Sequence, residues 1–498
     1  MSKKILTAAI SGLKAEIVQV EGDSGNGEFG QIAIVGLPDT AISEARERIK
    51  SALKSCGRSY PRRKITINLA PAHLKKRGSA YDLPIALCIL NLNNNFDFDF
   101  EHSFFCGELS LDGEVRPLKS VLPLVIAAKQ YGLRSFFVPM SNAAEAALVS
   151  EIDIYPVISL SQTIQLLENK NKINKYQASH KNFNPAQPNP LAKIKGQAQA
   201  KRALIIAAAG GHNLLMIGPP GSGKSLLAQA LADIMPNLRP KEQLEVAQIY
   251  SVAGEFHQIQ NKLHRPPFRS PHHNASLASI LGGGRGPKPG EITLAHRGAL
   301  FLDELPEFPR IILDSLRQPL EQRQILISRA EQHLYYPANF LLIAAMNPCP
   351  CGYFGDASKE CHCSASTIQK YQQKISGPIK DRFDLQIIVP RLKASELKIL
   401  PNNKLKSPLE LITAAQNKQY QRQKVNNASV SLDYVRYWQK ANPEAEKFAL
   451  EAATTFNLSA RAYDRLFRIG RSIADLDNKQ NIESAHIAEA LSYRFLEK

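Results

Sequence analysis

Three groups of residues in this chain have the types and spacing to do chemistry, two of them on a nucleotide polyphosphate. The first is Gly218-Pro219-Pro220-Gly221-Ser222-Gly223-Lys224-Ser225. An apolar run, Asn213 to Ile217, precedes it and reads as a buried strand, and Leu226 to Leu231 after it reads as a helix. Strand, glycine-rich loop, Lys-Ser and helix make a P-loop. The glycines let backbone N–H groups curl around phosphates, and the helix N-terminus adds partial positive charge. Lys224 is expected to reach the β- and γ-phosphates and Ser225 to hold Mg²⁺. A chance glycine turn would lack the flanking strand and helix. The second group is Ala299-Leu300-Phe301-Leu302-Asp303-Glu304, an apolar strand that ends in two carboxylates. Such a strand delivers them to its C-terminal end, where ligands bind in open α/β sheets. Asp303 would position Mg²⁺ through a water, and Glu304 would orient and polarise the attacking water. The third is a set of cysteines. Cys349-Pro350-Cys351 and Cys361-His362-Cys363 are two Cys-x-Cys pairs on a Gly-rich stretch. Four thiolates suit tetrahedral Zn²⁺, although the usual spacing is Cys-x-x-Cys. The alternative is reduced, unligated thiols.

The elements that must position these groups follow from hydrophobic period. In the first third, Ile5 to Val20, Ile32 to Gly36, Ile65 to Leu69, Phe104 to Leu109 and Phe136 to Pro139 read as strands. Asp39 to Cys56 reads as a helix with Ala41, Ile42, Ala45, Ile49 and Leu53 on one face, and Asp82 to Leu92 as a buried helix. A basic run, Arg46, Arg48, Lys50, Lys54, Arg58, Arg62, Arg63, Lys64, Lys75, Lys76 and Arg77, is either a phosphate-binding face or a solvated one. Residues 169–190 are Asn-, Lys-, Gln- and Pro-rich and read as a linker. After the P-loop helix, which runs to about Ile234, come two hairpin-like stretches. One is Leu281 to Glu291, with Arg285 and Lys288 near its tip; the other is Gln324 to Tyr336, which carries Arg329. The adjacent His272 and His273 are poorly placed to share one metal. A strand, Phe340 to Met346, ends at Asn347. From Pro408 onward, helical patterns follow at about 408–425, 431–439, 443–456, 459–475 and 482–496, with Trp438 in their core.

The chain has 498 residues, enough for about three domains, and a net charge of +17. That balance favours a polyanionic partner, nucleic acid before membrane; the alternative is plain solubility charge. No apolar run approaches the ~20 residues of a membrane span, and Met1-Ser2-Lys3-Lys4 opens no signal peptide, so a cytoplasmic protein is expected. Seven cysteines, four of them clustered, argue against a disulfide framework.

Several of these stretches resemble AAA+ ATPases. Ile194-Lys195-Gly196-Gln197 opens a helix, Ala198 to Ala209, just before the P-loop strand, as in that superfamily. Asn347 takes the place of the sensor-1 residue, whose amide reads the γ-phosphate or holds the water. Asp381-Arg382-Phe383-Asp384-Leu385 resembles the segment that carries the arginine finger in the magnesium-chelatase and MCM branches. Supplied by a neighbouring subunit, Arg382 would stabilise the transferring phosphoryl charge; the alternative is an ion pair with Asp381 or Asp384. Arg461, opening a lid helix, falls at the sensor-2 position, while Arg465, Arg468 and Arg471 read as ion-pairing or surface residues. In this branch the two hairpins project into a central pore, where Arg285, Lys288 and Arg329 would track a DNA backbone.

Residues 1–168 resemble the Lon-protease C-terminal-like fold, of the ribosomal S5 domain 2 type. The likeness rests on Gly78-Ser79-Ala80-Tyr81-Asp82-Leu83 and on Ser110-Leu111-Asp112-Gly113-Glu114-Val115-Arg116-Pro117. By that resemblance the serine position falls on Ala80 and the lysine position on Leu122, so no Ser/Lys dyad forms and proteolysis is not expected. With Asn347-Pro348-Cys349-Pro350-Cys351-Gly352 and the motifs above, nearly the whole chain is similar to the ComM/YifB family of magnesium chelatase-like AAA+ proteins. The resemblance implies an α/β multidomain protein: an N-terminal Lon-like α+β domain (1–168), a linker (169–190), an AAA+ core (191–395) and a helical lid (396–498). It also implies an ATP- and Mg²⁺-dependent homohexameric DNA helicase that promotes branch migration while transforming DNA is integrated, alongside recombination proteins. The other reading is a chelatase-type motor acting on a protein partner.

Overall fold

The computed structural model describes residues 3–25, 31–58, 63–94, 96–168, 172–177, 189–284, 288–329, 332–356, 358–392 and 407–494. The chain forms two compact units, Met1–Phe183 with Lys241–Leu263, and Asn184–Pro240 with His264–Lys498.

The first unit is built on a seven-stranded mixed sheet in the order Ile32–Val35, Lys64–Ala70, Lys14–Gly25, Lys3–Ser11, Ser103–Phe105, Ser135–Pro139, Asp153–Val157. The stretch from Ile5 to Val20 is an antiparallel hairpin rather than one strand, because Gly12 at φ 62° turns the chain and pairs Ser11 with Lys14. The Phe104 to Leu109 stretch likewise breaks after Phe105 and resumes at Glu108–Leu109. Helix Thr40–Ser55 starts where the Asp39 carboxylate accepts the Ile42 N–H at 3.0 Å, and it buries Ile42, Ala45, Ile49, Ala52 and Leu53. Helix Asp82–Asn93 is apolar nearly all round and lies within the same core. Residues 241–263 pack in this unit as well. Helix Pro240–Ala253 places Ala247 among Val121, Leu122, Leu124 and Val125, and the Ser251 hydroxyl accepts the Leu122 N–H at 3.2 Å.

The second unit holds a five-stranded parallel sheet in the order Phe268–Arg269, Ala299–Leu302, Leu341–Met346, Leu214–Ile217, Leu385–Ile388. The earliest of these strands, Leu214–Ile217, lies between the two latest, so the chain departs from it to the far edge and returns. That reversal opens a crevice at the strands' C-terminal ends. Leu341–Met346 is buried at every position, as a strand covered on both faces must be. Helices Ala198–Gly210 and Lys224–Ile234 pack with the C-terminal helices on one apolar cluster. Those helices are Leu409–Gln423, Leu432–Ala441, Pro443–Thr455, Ala460–Leu476 and Ser484–Ser492, close to the periods read from sequence. Trp438 is buried among them. Two antiparallel pairs complete the unit: Gly282–Gly283 with Lys288–Pro289, and Gln324–Arg329 with Gln332–Pro337. Among the described residues no helix is long and apolar enough to cross a membrane.

Candidate functional site

The sheet's C-terminal edge gathers the first two groups of sequence-predicted residues. Gly218 follows strand Leu214–Ile217, and a Cβ there would stand 2.2 Å from the Val389 carbonyl oxygen, so only glycine fits. Gly221 and Gly223 have φ of 76° and 88°, the left-handed region that lets the loop wrap before helix Lys224–Ile234 begins. Pro219, Pro220 and Ser222 complete that loop, and Ser222 is buried, its hydroxyl without a hydrogen-bond partner among the described residues. The Lys224 ammonium reaches back to the carbonyls of Gly218 (2.7 Å) and Pro219 (3.0 Å) and to Asn347 Oδ1 (3.3 Å). Burial lowers its pKa, while Asp303 and Glu304 pull it the other way.

Ser225 Oγ donates to Asp303 Oδ2 at 2.9 Å. The parallel register of Ala299–Leu302 and Leu341–Met346 puts Asp303 and Asn347 at the same end of the sheet. A hydroxyl and a carboxylate so placed are the hard oxygen donors that Mg²⁺ prefers, so the residues fit that ion. Glu304 adopts a left-handed conformation, φ 52°, which is costly for a residue other than glycine and is typical of functional turns. Its carboxylate lies 3.5 Å from His273 Nδ1, and the His273 ring lies against that of His272, centroids 4.1 Å apart and tilted by 34°. By sequence alone His273 is only half of a poorly placed metal pair. Its contact with Glu304 arises because it follows Phe268–Arg269, the strand next to Ala299–Leu302.

Arg382 is not brought to this loop. Leu385 pairs with Leu214 and Ile388 with Ile217, so Arg382 precedes the strand at the sheet's opposite end. A four-residue strand alone separates the ends by roughly 13 Å. Neither Asp381 nor Asp384 is its ion-pair partner; it pairs with Glu321. Arg465 takes the flanking groups instead, ion-pairing Asp384 at 2.9 Å and donating to the carbonyls of Asp381 and Phe383. Burial would raise the pKa of Asp384, but the His212 hydrogen bond and the Arg465 charge outweigh it and hold the carboxyl low. Arg471 pairs with Asp475, and Arg468 donates to the carbonyls of Ala428 and Val430. Arg461 is exposed in the first turn of helix Ala460–Leu476.

The four cysteines converge. Cys349 Sγ lies 3.3 Å from Cys351 Sγ and 3.7 Å from Cys361 Sγ, Cys351 and Cys361 are 3.6 Å apart, and all four sulfurs, Cys363 included, fall within 4.8 Å of one another. Tetrahedral zinc with bonds of about 2.3 Å places its sulfurs about 3.8 Å apart, so the cluster fits that ion. His362 is not in the group. The Tyr353 N–H and the other three thiols hold the Cys351 thiol down, to about 6, while the Cys361 and Cys363 thiols are pushed up by their cysteine neighbours and by burial.

Other sequence candidates are placed less decisively. Lys288 is exposed at the end of the short Gly282–Gly283 pairing, and Arg329 ends its strand opposite Gln332. Arg285 lies outside the described residues, as does Arg62. The basic run loses three members to structural work. Arg48 clasps the buried Asp82 with two bonds of 2.8 and 3.0 Å, Arg58 pairs with Glu168, and Lys76 is buried and donates to the Pro71 carbonyl. A small cavity of about 180 Å³ near the Ile194-x-Gly196-Gln197 entry is lined by Gln197, Ala198, Gln199, Pro390 and Arg391. Gln197 donates there to the Pro390 carbonyl at 2.7 Å.

A P-loop, an apolar strand ending in Asp-Glu and a polar strand end, set on a five-stranded parallel sheet with a helical C-terminal region, define an AAA+ ATPase module. Residues 190–397 match the family described as "Magnesium chelatase, subunit ChlI", residues 18–142 match "Subunit ChlI of Mg-chelatase", and residues 407–494 match its C-terminal part. The chain is 40% identical over 497 residues to Competence protein ComM of Haemophilus influenzae, covering 98% of this chain and 97% of that protein. It is 39% identical to YifB of Salmonella typhimurium, covering 99% of this chain and 97% of the relative. Against the magnesium-chelatase 38 kDa subunit of Cereibacter sphaeroides the identity is 26% over 185 residues, 32% of this chain and 53% of that subunit. The chain belongs to the ComM/YifB family of magnesium chelatase-like AAA+ proteins.

Proposed function

We propose that this protein is a cytoplasmic ATP-dependent DNA translocase, working as a homohexameric ring and promoting branch migration when transforming DNA is integrated by homologous recombination. The observation that carries the reading is end-to-end similarity to a competence protein in a chain whose Lys224, Ser225, Asp303, Glu304 and Asn347 share one sheet edge. The net charge of +17 supports a polyanionic partner.

In this reading the loop Gly218–Ser225 cradles the phosphates of ATP and Lys224 trades its carbonyl contacts for phosphate oxygens. Ser225 and Asp303 would hold Mg²⁺, which neutralises developing phosphate charge. Glu304, once released from His273, orients and polarises the attacking water, and Asn347 holds the γ-phosphate end of the site. Arg382, at the far end of its own sheet, serves the site of a neighbouring subunit, and Arg461 engages nucleotide from the lid. Arg285, Lys288 and Arg329 on the two hairpins would contact DNA. The cysteines would hold a structural Zn²⁺.

The N-terminal unit is proposed as a Lon-like, S5 domain 2-like fold without protease activity. Its serine position is Ala80, its lysine position is the fully buried Leu122, and the hydroxyl of Ser79 is donated to Glu108. The competing reading, a chelatase-type motor or remodelling subunit acting on a protein partner, draws on the partial match to magnesium-chelatase subunits. The two separate in one assay. A DNA translocase shows ATPase stimulated by single-stranded or branched DNA and extends heteroduplex on three-stranded substrates, and Lys224→Ala loses both by roughly 10²–10³-fold, as when one charge-stabilising donor is removed. ATPase indifferent to DNA, with no strand exchange, would refute the DNA reading.

A further inference from the structure

The turn between the two cysteine pairs is built into the nucleotide loop. Cys349 is buried two residues after Asn347, and Asn347 in turn contacts Lys224. Gly352, at φ +85°, rides directly on the P-loop: a Cβ there would lie 2.5 Å from Pro220 Cδ and 3.8 Å from Asn347 Cγ. Arg391 ties the same turn to the same proline. It ion-pairs Asp356 at 3.3 Å, lies over the Tyr353 ring at 5.2 Å, and approaches the Pro220 carbonyl at 3.5 Å. Behind the turn, Gln372 donates to the Pro348 carbonyl at 3.1 Å. The Gly352 N–H bonds the Cys349 carbonyl at 3.0 Å, and the Phe354 N–H bonds the Cys349 sulfur at 3.3 Å, so the backbone follows the thiol positions.

Among the described residues the turn's remaining contacts are polar, Lys359 over the Tyr353 ring at 4.2 Å and Ser358 bonded to Asp356, and apolar cover is slight. Phe354 is half exposed, and Cys351, Cys361 and Cys363 are only partly covered. A short segment without an apolar core keeps one shape through a cross-link or a metal. Here the sulfurs provide the metal site, and what they shape is the surface against which Asn347 and Pro220 are set.

We propose that metal occupancy of the Cys349, Cys351, Cys361 and Cys363 site controls ATP hydrolysis, by fixing Asn347 and the Pro220 side of the P-loop in the geometry that hydrolysis needs. This rests on the zinc reading of the four cysteines. With the metal in place, Gly352 braces Pro220 and Asn347 holds its contact with Lys224. With the thiols released, the turn relaxes, Asn347 loses its support, and the rate falls far more than nucleotide affinity does, because a misplacement of about 1 Å costs on the order of 10²-fold in rate.

The test uses the full-length protein, measuring bound zinc per chain, ATPase kcat, affinity for a fluorescent ATP analogue, and thermal unfolding. Wild type is expected to carry about one zinc per chain, as one tetrathiolate site holds. The double variant Cys361→Ser/Cys363→Ser, whose changes lie outside the nucleotide loop, is expected to lose zinc and at least about tenfold in kcat, with affinity changed less than about threefold. Gly352→Ala is the second arm: it keeps the four cysteines and its zinc, but its Cβ strikes Pro220, so kcat falls while zinc content does not. Should the cysteine variant unfold, wild type stripped with a chelator, returned to Mg²⁺ and then given zinc takes its place, with recovery on zinc but not on Mg²⁺ expected. A folded, zinc-free protein that hydrolyses ATP at the wild-type rate overturns the coupling and leaves the zinc reading intact. Wild type without zinc, and unresponsive to added zinc, overturns both.

Discussion

In the seven-stranded sheet unit, Asp82 is fully buried, and Arg48 closes on it with two hydrogen bonds while the Leu109 N–H supplies a third. In the five-stranded unit, Asp303 ends a buried strand with its carboxylate turned to a single serine hydroxyl and its own chain's next N–H. The first carboxylate has its charge consumed by the fold, and the second keeps capacity to accept a ligand. The same contrast holds for cations. Lys76 donates to the Pro71 carbonyl inside the first unit, whereas Lys224 rests on loop carbonyls that a phosphate can replace. What separates a charge consumed by the fold from one left available here is its position on the sheet. Parallel strands that reverse order leave an open crevice at their C-terminal ends, and glycines line it with N–H donors.

The contrast can be broken or sharpened by mutation. The largest effect is expected from Arg382→Ala, which should lower ATPase by at least about 10³-fold, as removal of an arginine finger does. Mixing this variant with Lys224→Ala subunits should restore part of the activity, because each supplies what the other lacks at a shared site. Failure of any mixing ratio to recover ATPase would place Arg382 in a structural role with Glu321. Next in size is Arg48→Ala. It strands a buried carboxylate and should destabilise the first unit by about 3 kcal/mol, read as a shifted denaturant midpoint with kcat per folded molecule unchanged. A smaller effect belongs to Arg202 and Glu489, which form a bidentate pair at 2.9 and 3.1 Å between helix Ala198–Gly210 and the last helix. Burial alone would raise the pKa of Glu489, but the Arg202 bonds outweigh it and leave the carboxyl below 4.5. Its contribution is therefore present above that value and is lost as pH falls through the lower, folded one. Glu489→Gln should remove on the order of 1 kcal/mol at neutral pH and flatten the acid limb of the thermal stability curve. The smallest effect is His273→Ala. A contact worth up to about 1 kcal/mol ties His273 to Glu304, so freeing the carboxylate should raise basal ATPase by up to about fivefold. A fall instead would mean that His273 helps position Glu304 for the reaction.

Much of the candidate site was legible because it is made of contiguous motifs. Gly218–Ser225 and the run from Ala299 to Glu304 carry their own strand and turn signals, and the C-terminal helices declare themselves by period. The hairpin turn at Gly12 does leave a signal, the Ser11-Gly12 dipeptide in a stretch interrupted by Lys14, Glu16 and Gln19, but only the structure shows the glycine's positive φ and the pairing that follows it. The structural fates of Arg48 and Lys76 were hidden for another reason. A basic run reads the same whether its partners are phosphates or carboxylates and carbonyls brought from elsewhere, and Asp82 lies 34 residues from Arg48.

What the sequence determined by itself was local: which loop carries the P-loop pattern, which carboxylates end a buried strand, which thiols come in pairs. Only the tertiary structure decided how those pieces meet. It set Asn347 against Lys224, Glu304 against His273, four sulfurs within one ion's reach, and Arg382 at the end of the sheet away from its own P-loop. The physical reason is that backbone propensity and hydrophobic period act over a few residues, whereas sheet order and register, fixed by packing of the whole core, determine which ends of distant strands stand side by side.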